Sequence, residues 1–558
     1  MDPMIGIILI ITPIVLAFVM LAVFKRAADT TGVVVWLLTL IFAIFLFQTN
    51  IGIGIISSLV GIIKSFPISL MVATSILMMT YMQESGALNR MIVFFKTLGG
   101  GSRPLQIMLI SLGLGTFLVG IGATPVSMLP PVMLALGFSP LVAVALPAIG
   151  YDPLTTFALL GVPSQVFTNA YSDVSGSAIE LWYAGGIFSM YMPLITTLIA
   201  VGMLWIAGGR ALLFSREGLG LAALSGVTAG IIAIITNSSF VHSLFPTATV
   251  LTDVFAGAAV IFVLVAYTKM KGRPLISRDK LTAQDIQMEK QMSLKKSSIP
   301  WVILVILCLV ATLIPFVYEF LFKQLDFVIP VWFDNTIQTP YFDVNLGING
   351  IHTHVMWQAY TLMLIATLVS IPFLPHDRRT MKNTFTKFRA RAPRPVLAAA
   401  IFFAMAEVMT MSGYYIDPLD NWAFPYDPSN NMIFLLSSVT SEVLGQMYPL
   451  IAAFIGLLGG FVSGSETSSI AMFTGYNYQT SVIIGANPII VSASNGVGGG
   501  LASVLSPAKI QNAAAVIDEI GIEGEVLRYG VVIAVLITLV VAILTFLWAF
   551  GLIPFILI

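Results

Sequence analysis

The sequence predicts an all-α polytopic membrane protein built from two inverted-topology repeats with broken or re-entrant helices. Three observations lead to this prediction: an apolar composition, apolar runs of spanning length, and a motif that returns in the second half. Of the 558 residues, 58% are hydrophobic and 9% are charged, whereas soluble domains carry about 25% charged residues. A chain so poor in charge cannot cover itself in water, which excludes a soluble fold.

Charge and cysteine content exclude several further classes. The formal net charge is zero, which gives no reason to expect nucleic acid or an acidic partner. Cys308 is the single cysteine, so a disulfide or a cysteine-ligated metal site within the chain is excluded. His352 and His354 have the spacing of metal ligands but no partner cluster, and we expect no metal. No Walker A motif occurs, so we expect no cofactor and no ATP-driven step.

Apolar runs long enough to cross about 30 Å of hydrocarbon as helices recur along the chain. The first run is followed by Lys25 and Arg26 and has no basic segment before it, which indicates a span rather than a cleaved signal peptide. Shorter pieces near 51–63 and between 461 and 515 are rich in Gly, Ser, Thr and Pro, which is typical of re-entrant or broken helices. The predicted spans are 4–24, 32–48, 66–83, 104–120, 128–150, 182–207, 219–236, 249–268, 299–321, 353–373, 395–412, 431–460 and 529–556.

Basic loops set the predicted orientation. The stretches 269–296 and 378–394 are rich in Lys and Arg, and the positive-inside rule places both in the cytoplasm. Two predicted spans, joined by a loop with three aspartates, separate these stretches. Because two spans return the chain to the same side of the membrane, the two assignments agree. Lys25, Arg26 and the stretch 90–103 are basic as well, which places the N-terminus outside the cell.

A motif returns at a constant offset. Residues 114–120 resemble residues 458–464, and the offset of 344 between Gly120 and Gly464 also pairs Pro163 with Pro507. A constant offset that keeps glycine and proline in place indicates an internal repeat. We expect the first repeat at 1–268, a cytoplasmic basic loop at 269–298 and the second repeat at 299–558.

The direction of the repeats follows from a second pairing, of residues 82–86 with 409–413. The first stretch ends a span that runs toward a basic loop, whereas the second ends a span that leaves one. Equivalent helices therefore point in opposite directions. Inverted repeats of this kind are typical of secondary transporters, whose substrate site lies near the bilayer midplane.

A break interrupts the apolar pattern of the first half at residues 120–127. Its glycines free the backbone, and Pro125 suits the first turn of a new helix. The N–H groups at such a helix start would suit a carboxylate, with side-chain hydroxyls as further donors. The alternative is a glycine-packed helix crossing with a proline kink. The candidate substrate ligands of this half are Gly120, Gly122, Thr124 and Ser127.

The equivalent stretch of the second half, 464–469, contains an acid among hydroxyl side chains. An ionisable residue at membrane depth is costly, so Glu466 is a functional candidate; its alternative role is in the first turn of a capped helix. A further glycine-rich break is predicted at 495–500, and its first-half counterpart is 151–153, which contains Asp152. Lys509 is either a counter-charge to these acids or a side chain whose ammonium group extends to the membrane interface. The candidate substrate ligands are Ser465, Thr467, Ser468, Ser469 and Asn495, and the candidate proton-coupling acids are Glu466 and Asp152.

In the stretches 461–469, 122–126 and 505–507, the chain resembles the L-lactate permease family, and the likeness covers nearly its whole length. The resemblance implies uptake of lactate, and often of glycolate, together with protons across the cell membrane. It marks Glu466, the neighbouring hydroxyls and the break at 122–126 as functional. The family usually has Glu where Val119 stands, and an Asn-Thr pair where this chain has 151–152, which leaves the substrate and the proton route open.

The sequence therefore predicts a multi-pass secondary transporter of the plasma membrane and not an enzyme. Its predicted substrates are L-lactate and related 2-hydroxy monocarboxylates such as glycolate, with the proton as coupling ion. Substrate would lie between broken helices, and an elevator-like movement of one bundle would change its access. The alternatives are a sodium-coupled carrier of another organic acid, a channel, or a membrane-embedded enzyme, for which the chain lacks convincingly spaced catalytic groups. The oligomeric state stays open.

Overall fold

The structure is a computed structural model, and its regular elements are almost all helical. The predicted ligand Thr124 and the loop residues Lys25 and Asp334 lie outside the described residues, as do the side chains of Ser127 and Asp152. The described residues are 3–20, 24, 26–98, 102–123, 125–150, 152–274, 276–278, 281–329, 336–338, 343–345, 351–415, 427–502, 505–519 and 521–556.

The first half contains a series of helices joined by short turns. The α-helices are α1 (Pro3–Phe18), α2 (Ala28–Phe45), α3 (Ile51–Lys64), α4 (Phe66–Glu84), α5 (Ala87–Thr97), α6 (Arg103–Ile107), α7 (Gly115–Gly120), α8 (Pro125–Ala135), α9 (Pro140–Ile149), α10 (Ala158–Ser175), α11 (Leu181–Leu213), α12 (Gly218–Thr236), α13 (Ser239–Leu244) and α14 (Thr252–Met270). A π-helical segment, Met108–Leu114, joins α6 to α7, and 3-10 turns at Asp152–Phe157 and Ala248–Leu251 precede α10 and α14.

The second half is also helical. Its α-helices are α15 (Ala283–Gln291), α16 (Leu294–Ser297), α17 (Ile299–Leu313), α18 (Pro315–Tyr318), α19 (Ala359–Ser370), α20 (Arg378–Arg391), α21 (Pro393–Thr410), α22 (Met432–Leu444), α23 (Pro449–Ser463), α24 (Glu466–Ile484), α25 (Pro488–Leu501), α26 (Pro507–Val516) and α27 (Glu523–Ala549). Shorter π or 3-10 pieces are Glu319–Gln324, Ile371–Phe373, Pro428–Asn430 and Gly445–Met447. The strands β1 (Val328–Ile329), β2 (Thr336–Gln338), β3 (Asp343–Asn345) and β4 (Ile351–His352) form the antiparallel pairs β1–β4 and β2–β3.

Helices of spanning length confirm the prediction of a polytopic membrane protein. Among the described residues, 8 helical stretches are long and apolar enough to cross a membrane, or up to 10 if each of two bent pairs is one span. The stretches are Ala28–Phe45, Phe66–Glu84, Arg103–Gly120, Leu181–Leu213, Gly218–Thr236, Ala248–Met270, Arg378–Thr410 and Glu523–Ala549.

Three of the predicted spans are wrong in form. The run 128–150 is divided between α8 and α9, and the run 431–460 between α22 and α23. The turn in the second run contains Gly445 at a φ of +50°, a left-handed conformation that ends a helix. The run 299–321 bends by 90° after α17, where Pro315 cannot donate its backbone nitrogen to the preceding turn.

The glycine run at 495–500 is helical within α25, which corrects the predicted break at that position. A Cβ at Gly498 would lie 1.9 Å from the carbonyl oxygen of Ala453 in α23, and one at Gly499 would lie 3.4 Å from Cα of Glu466. These glycines therefore allow close helix packing. The break comes a few residues later, between α25 and α26.

At the offset of 344, the helices α8 to α11 of the first half overlap in sequence with α24 to α27 of the second half. Leu181 begins α11, and the residue at that offset, Glu525, lies in the first turn of α27. These two helices pack antiparallel. The Tyr191 hydroxyl lies 3.0 Å from the Thr545 hydroxyl, and a Cβ at Gly202 would lie 3.1 Å from the side chain of Ile533.

The broken segments of the two halves pack against each other. The 3-10 turn Asp152–Phe157 contacts α25, and α10 contacts α24, while α26 contacts α8 and α9. Because α10 and α26 are equivalent at the offset, as are α8 and α24, these contacts are reciprocal. Most of the buried apolar side chains form one cluster that runs through both halves.

The basic loop between the halves is attached to the helix bundle. Lys96 of α5 contacts Asp285 of α15 at 2.9 Å, and Arg90 contacts Glu289 at 3.3 Å. The loop is therefore held against α5.

Glu217, in the turn between α11 and α12, links further helix ends on the same face. Arg273 Nη2 lies 2.9 Å from its carboxylate, and the Ser102 hydroxyl donates to it at 2.5 Å. The hydrogen bonds from Arg273 and then from Ser102 lower the pKa of Glu217 to about 2. The carboxylate therefore stays charged and attached to Arg273 at neutral pH.

Candidate functional site

The second-half break places an acidic side chain at the start of a buried helix. Gly464 has a φ of +69°, which glycine adopts readily and other residues do not. Ser465 caps α24, since its hydroxyl accepts a hydrogen bond from the Ser468 backbone N–H at 3.4 Å. Glu466 is the first residue of α24 and is 6% exposed. A negative charge is favoured at a helix N-terminus.

Two threonines of the first half hold the Glu466 carboxyl group. The Thr155 hydroxyl donates to Oε2 and the Thr156 hydroxyl to Oε1, both at 2.5 Å. Both threonines lie in the 3-10 turn Asp152–Phe157 and are buried. The site is therefore shared between the halves.

The backbone that follows these threonines is strained. Leu159, Leu160 and Gly161 have φ angles of +58°, +61° and +72°. For residues other than glycine, this left-handed region costs about 1–2 kcal/mol each. Such strain persists only where the surrounding structure imposes it, and it is common at functional sites.

A cavity of about 1690 Å³ opens beside Glu466. It extends along α4 as far as Gln83 and reaches Lys96, Arg391 and Arg394 of the basic regions. In this conformation the site is therefore connected to the face that carries the basic loops. The residues that line the cavity near Glu466 include Val119, Thr155, Ser465, Thr467, Gly500, Ser506 and Lys509.

Lys509 adds positive charge to the cavity wall. It is the third residue of α26 and interacts electrostatically with Glu466. The starts of α24 and α26 thus contribute Ser465, Ser506 and Lys509 to one space. Two helix N-termini, hydroxyl groups and an ammonium group form an environment that suits a small carboxylate.

The predicted ligands of the second half have different surroundings. Ser465 and Thr467 line the cavity, whereas Ser469 donates to the Gly456 carbonyl at 3.0 Å and holds α24 against α23. The Ser468 hydroxyl and both polar atoms of the Asn495 side chain are buried without a hydrogen-bond partner among the described residues.

The predicted glycines of the first half lie at the end of α7 and in the break that follows it. Gly122 has a φ of +84°, and its carbonyl accepts a hydrogen bond from the Ser75 hydroxyl at 2.7 Å. A Cβ at Gly120 would lie 2.7 Å from Cβ of Asp253 in α14. Gly120 therefore allows α7 and α14 to approach closely.

Thr155, Thr156 and Asp253 were not predicted as site residues. The two threonines lie two and three residues after 151–153, the first-half counterpart of the break predicted at 495–500, and this position is a usable signal. No local pattern marks Asp253, because an acid in the first turn of a helix is common.

An ion-pair cluster lies near the N-terminal end of α4. The Lys64 ammonium group lies 2.7 Å from Oε1 of Glu407 and 3.0 Å from Oδ2 of Asp173. It connects α3, α21 and α10. The basic residues at the cavity mouth adjoin the other end of α4, so the cluster and the mouth lie at opposite ends of this helix.

Three features together define a multi-pass membrane transport protein: helices of spanning length, broken helices that meet at a buried polar site, and a cavity that opens on one face. The chain belongs to the L-lactate permease family, whose family model matches residues 6–552. Together with its spanning helices, this membership places it in the plasma membrane.

Several curated proteins are similar over almost their whole length. The glycolate permease GlcA of Escherichia coli (strain K12) is 25% identical, over 96% of this chain and 94% of the relative. The L-lactate permease of Bacillus subtilis (strain 168) is 23% identical with the same coverage. The putative L-lactate permease of Haemophilus influenzae is 21% identical over 95% of this chain and 96% of the relative. Among solved structures, MtrF of Neisseria gonorrhoeae, described with a class of antimetabolite efflux pumps, aligns with a TM-score of 0.43 and 12% identity over 95% of this chain and 96% of that chain.

Proposed function

We propose that the protein transports L-lactate, glycolate and related 2-hydroxy monocarboxylates across the plasma membrane, coupled to protons. One observation carries the proposal: the Glu466 carboxyl group, held by Thr155 and Thr156 of the other half, lies in the wall of the cavity that Lys509 also lines. The similar proteins named as lactate and glycolate permeases support the class of substrate.

The substrate carboxylate would bind near Lys509 and the N-termini of α24 and α26. Ser465, Ser506 and Thr467, which line the same part of the cavity, would donate to the carboxylate or bind the 2-hydroxyl group. The cavity volume of about 1690 Å³ far exceeds that of a three-carbon acid. Recognition would therefore take place at its inner end, and the remainder would be a water-filled entrance.

Glu466 would take up and release the coupling proton, with Asp152 as the second candidate from the sequence. Glu466 lines the cavity, so water can reach it from the face with the basic loops. If those loops are cytoplasmic, the conformation is inward-open. The antiparallel packing of α11 and α27 supports an inverted repeat. In a rigid-body, elevator-like movement the two halves would exchange their conformations, and the site would then open to the other side of the membrane.

Transport by the purified protein in proteoliposomes tests the proposal. We expect saturable uptake and counterflow of labelled lactate, driven by a pH gradient and not by a sodium gradient imposed separately. Glycolate should compete well, whereas neutral lactamide should not, because helix N-termini and a lysine select the anion. Equal competition by lactamide would contradict the anion site, sodium-driven uptake would favour the sodium-coupled alternative, and flux without counterflow would indicate a channel.

A further inference from the structure

Asp253 is a second buried acid at the broken helices, and it is not among the predicted coupling acids. It is the second residue of α14 and is 0% exposed. Neither carboxyl oxygen has a hydrogen-bond partner among the residues that the structure describes. Because its Cβ lies against Gly120 at the end of α7, the side chain is packed beside the first-half break.

Among the described elements with the most extensive contacts to α14, acids occur and bases do not. The segments packed against α14 are α7, α10, α12, the π-helical segment Met108–Leu114, and the 3-10 turns Asp152–Phe157 and Ala248–Leu251. None of these segments contains Lys, Arg or His. Their acids are Asp173, near the far end of α10, and Asp152, whose side chain lies outside the described residues. Glu466 is the group that interacts electrostatically with Asp253.

A charged carboxylate is strongly disfavoured in such a place. Without a cation or a hydrogen-bond donor, its burial costs far more than the addition of a proton. Ionisable residues at membrane depth that lack a structural partner are typical of proton pathways. The Asp253 carboxyl group is closed off from the cavity, whereas Glu466 lines it. Glu466 is therefore in contact with the cavity, whereas Asp253 lies behind the cavity wall in the protein interior.

We infer that Asp253 is a second proton-carrying residue, which holds the coupling proton in this conformation and exchanges it with Glu466. The inference rests on the proposed function. A proton from water on the outer side would bind the Asp253 carboxylate when the break at Gly120 opens. It would then pass to the Glu466 carboxylate, so that one O–H bond breaks as another forms, and leave from Glu466 to water in the cavity. One proton crosses the membrane, and both carboxyl groups return to their starting state.

The test compares Asp253→Asn with the wild-type protein and with Thr249→Val in proteoliposomes. Thr249 lies one helical turn before Asp253, is buried and has a hydroxyl without a partner among the described residues. Its substitution therefore removes a buried polar group that cannot titrate. Asp253→Asn should lose pH-driven lactate accumulation and lactate-induced proton movement while it retains counterflow, whereas Thr249→Val should retain all three.

Several outcomes would overturn the inference. Retained pH-driven accumulation in Asp253→Asn, beside normal coupling in the wild type, would refute the role of Asp253 alone. Loss of counterflow together with accumulation in a folded variant would indicate a structural role. Wild-type accumulation driven by sodium instead of pH would refute the proposed proton coupling itself. If Asp253→Asn does not fold, Asp253→Glu, which keeps the acid, should retain coupling with a displaced pH profile, and an unchanged profile would contradict the inference.

Discussion

At the scale of single residues, the Glu466 carboxyl group connects proton binding to the contact between the halves. Each of its oxygens accepts one threonine hydroxyl, from Thr155 and from Thr156. A protonated carboxyl group carries one O–H donor, and its hydroxyl oxygen is a weaker acceptor than a carboxylate oxygen. Protonation of Glu466 therefore weakens or reverses at least one of these hydrogen bonds between the two halves.

Glu466→Gln keeps the shape of the side chain and resembles the protonated acid, with one accepting oxygen and one donating group, but it cannot release a proton. We expect loss of pH-driven lactate uptake to background, with exchange of internal for external lactate retained, because exchange needs no net proton release. Both are measured in proteoliposomes beside Glu442→Gln, the same change at an exposed acid at the end of α22. Full pH-driven uptake by Glu466→Gln would rule out the coupling role and direct attention to Asp152, while weakened exchange would indicate a contact with substrate or a cap.

Gly500→Ala tests the geometry around the same carboxyl group. A Cβ at Gly500 would lie 2.5 Å from the Thr155 hydroxyl and 2.7 Å from Oε2 of Glu466, so the hydrogen bond between them must lengthen or break. Loss of a hydrogen bond to a charged group costs about 1.5–3 kcal/mol. Because the transport-competent site would lose this stabilisation, we expect the initial rate of uptake to decrease about tenfold or more. Gly220→Ala in α12, where a Cβ would meet nothing within 4 Å, should leave the rate unchanged. Equal rates for the two variants would contradict the proposed geometry.

The sequence identifies some of these residues and misses others for a physical reason. Glu466 is conspicuous because a charged residue among glycines and hydroxyl side chains is costly in an apolar chain. Thr155 and Thr156 lie close to a predicted break, which marks their position, but their partner Glu466 is more than 300 residues away, and no local spacing reveals such a contact. Asp253 matches an ordinary helix start, and its isolation becomes visible only when its neighbours are known.

At the scale of helices, the breaks at Gly464 and after Gly120 follow from local chemistry, whereas the role of the glycine run 495–500 does not. Glycine serves both left-handed turns and close helix packing. The choice between these roles at Gly498 depends on Ala453 of α23, which lies 45 residues earlier. For the same reason, hydropathy alone predicted the run 431–460 as a single span although it contains two helices.

The Lys64 cluster is expected to stabilise the conformation in which the cavity opens toward the basic loops. It fixes α10, which follows the turn with Thr155 and Thr156, to α3 and α21. Lys64→Gln should therefore shift the population toward the alternative conformation. A maleimide reporter at Met79→Cys, in the cavity wall on α4, should then be labelled several-fold more slowly from the face with the basic loops.

Lys382→Gln, which changes an exposed lysine of α20, serves as the matched control for this labelling experiment. The native Cys308 is 1% exposed and can remain. Unchanged labelling of Met79→Cys in the Lys64→Gln background would show that the ion pairs stabilise the fold without favouring one conformation.

At the scale of the whole molecule, the packing of equivalent helices has the symmetry expected of an inverted repeat. Tyr191 of α11 meets Thr545 of α27. At the offset of 344, the mirrored contact would join residues 201 and 535, and Gly202 meets Ile533. The offset pairs these helices along the chain, whereas their opposite directions follow from the second pairing, of 82–86 with 409–413, and the inverted repeat stays a prediction. The offset does not predict the strained turn at 159–161.

Orientation in the membrane provides the final prediction. Single cysteines at Ser177 and Glu525, both exposed, lie near the starts of the equivalent helices α11 and α27. If the halves are inverted, a membrane-impermeant maleimide should label Ser177→Cys from outside intact cells, and Glu525→Cys only in inside-out vesicles. Arg389→Cys, in a basic loop, should behave like Glu525→Cys because of the positive-inside rule. Labelling of positions 177 and 525 from the same side would refute the inverted repeat. If positions 177 and 525 are labelled from opposite sides but Arg389→Cys is labelled from outside, the halves are inverted and the membrane orientation is the reverse of the predicted one. The cavity beside Glu466 would then open to the exterior.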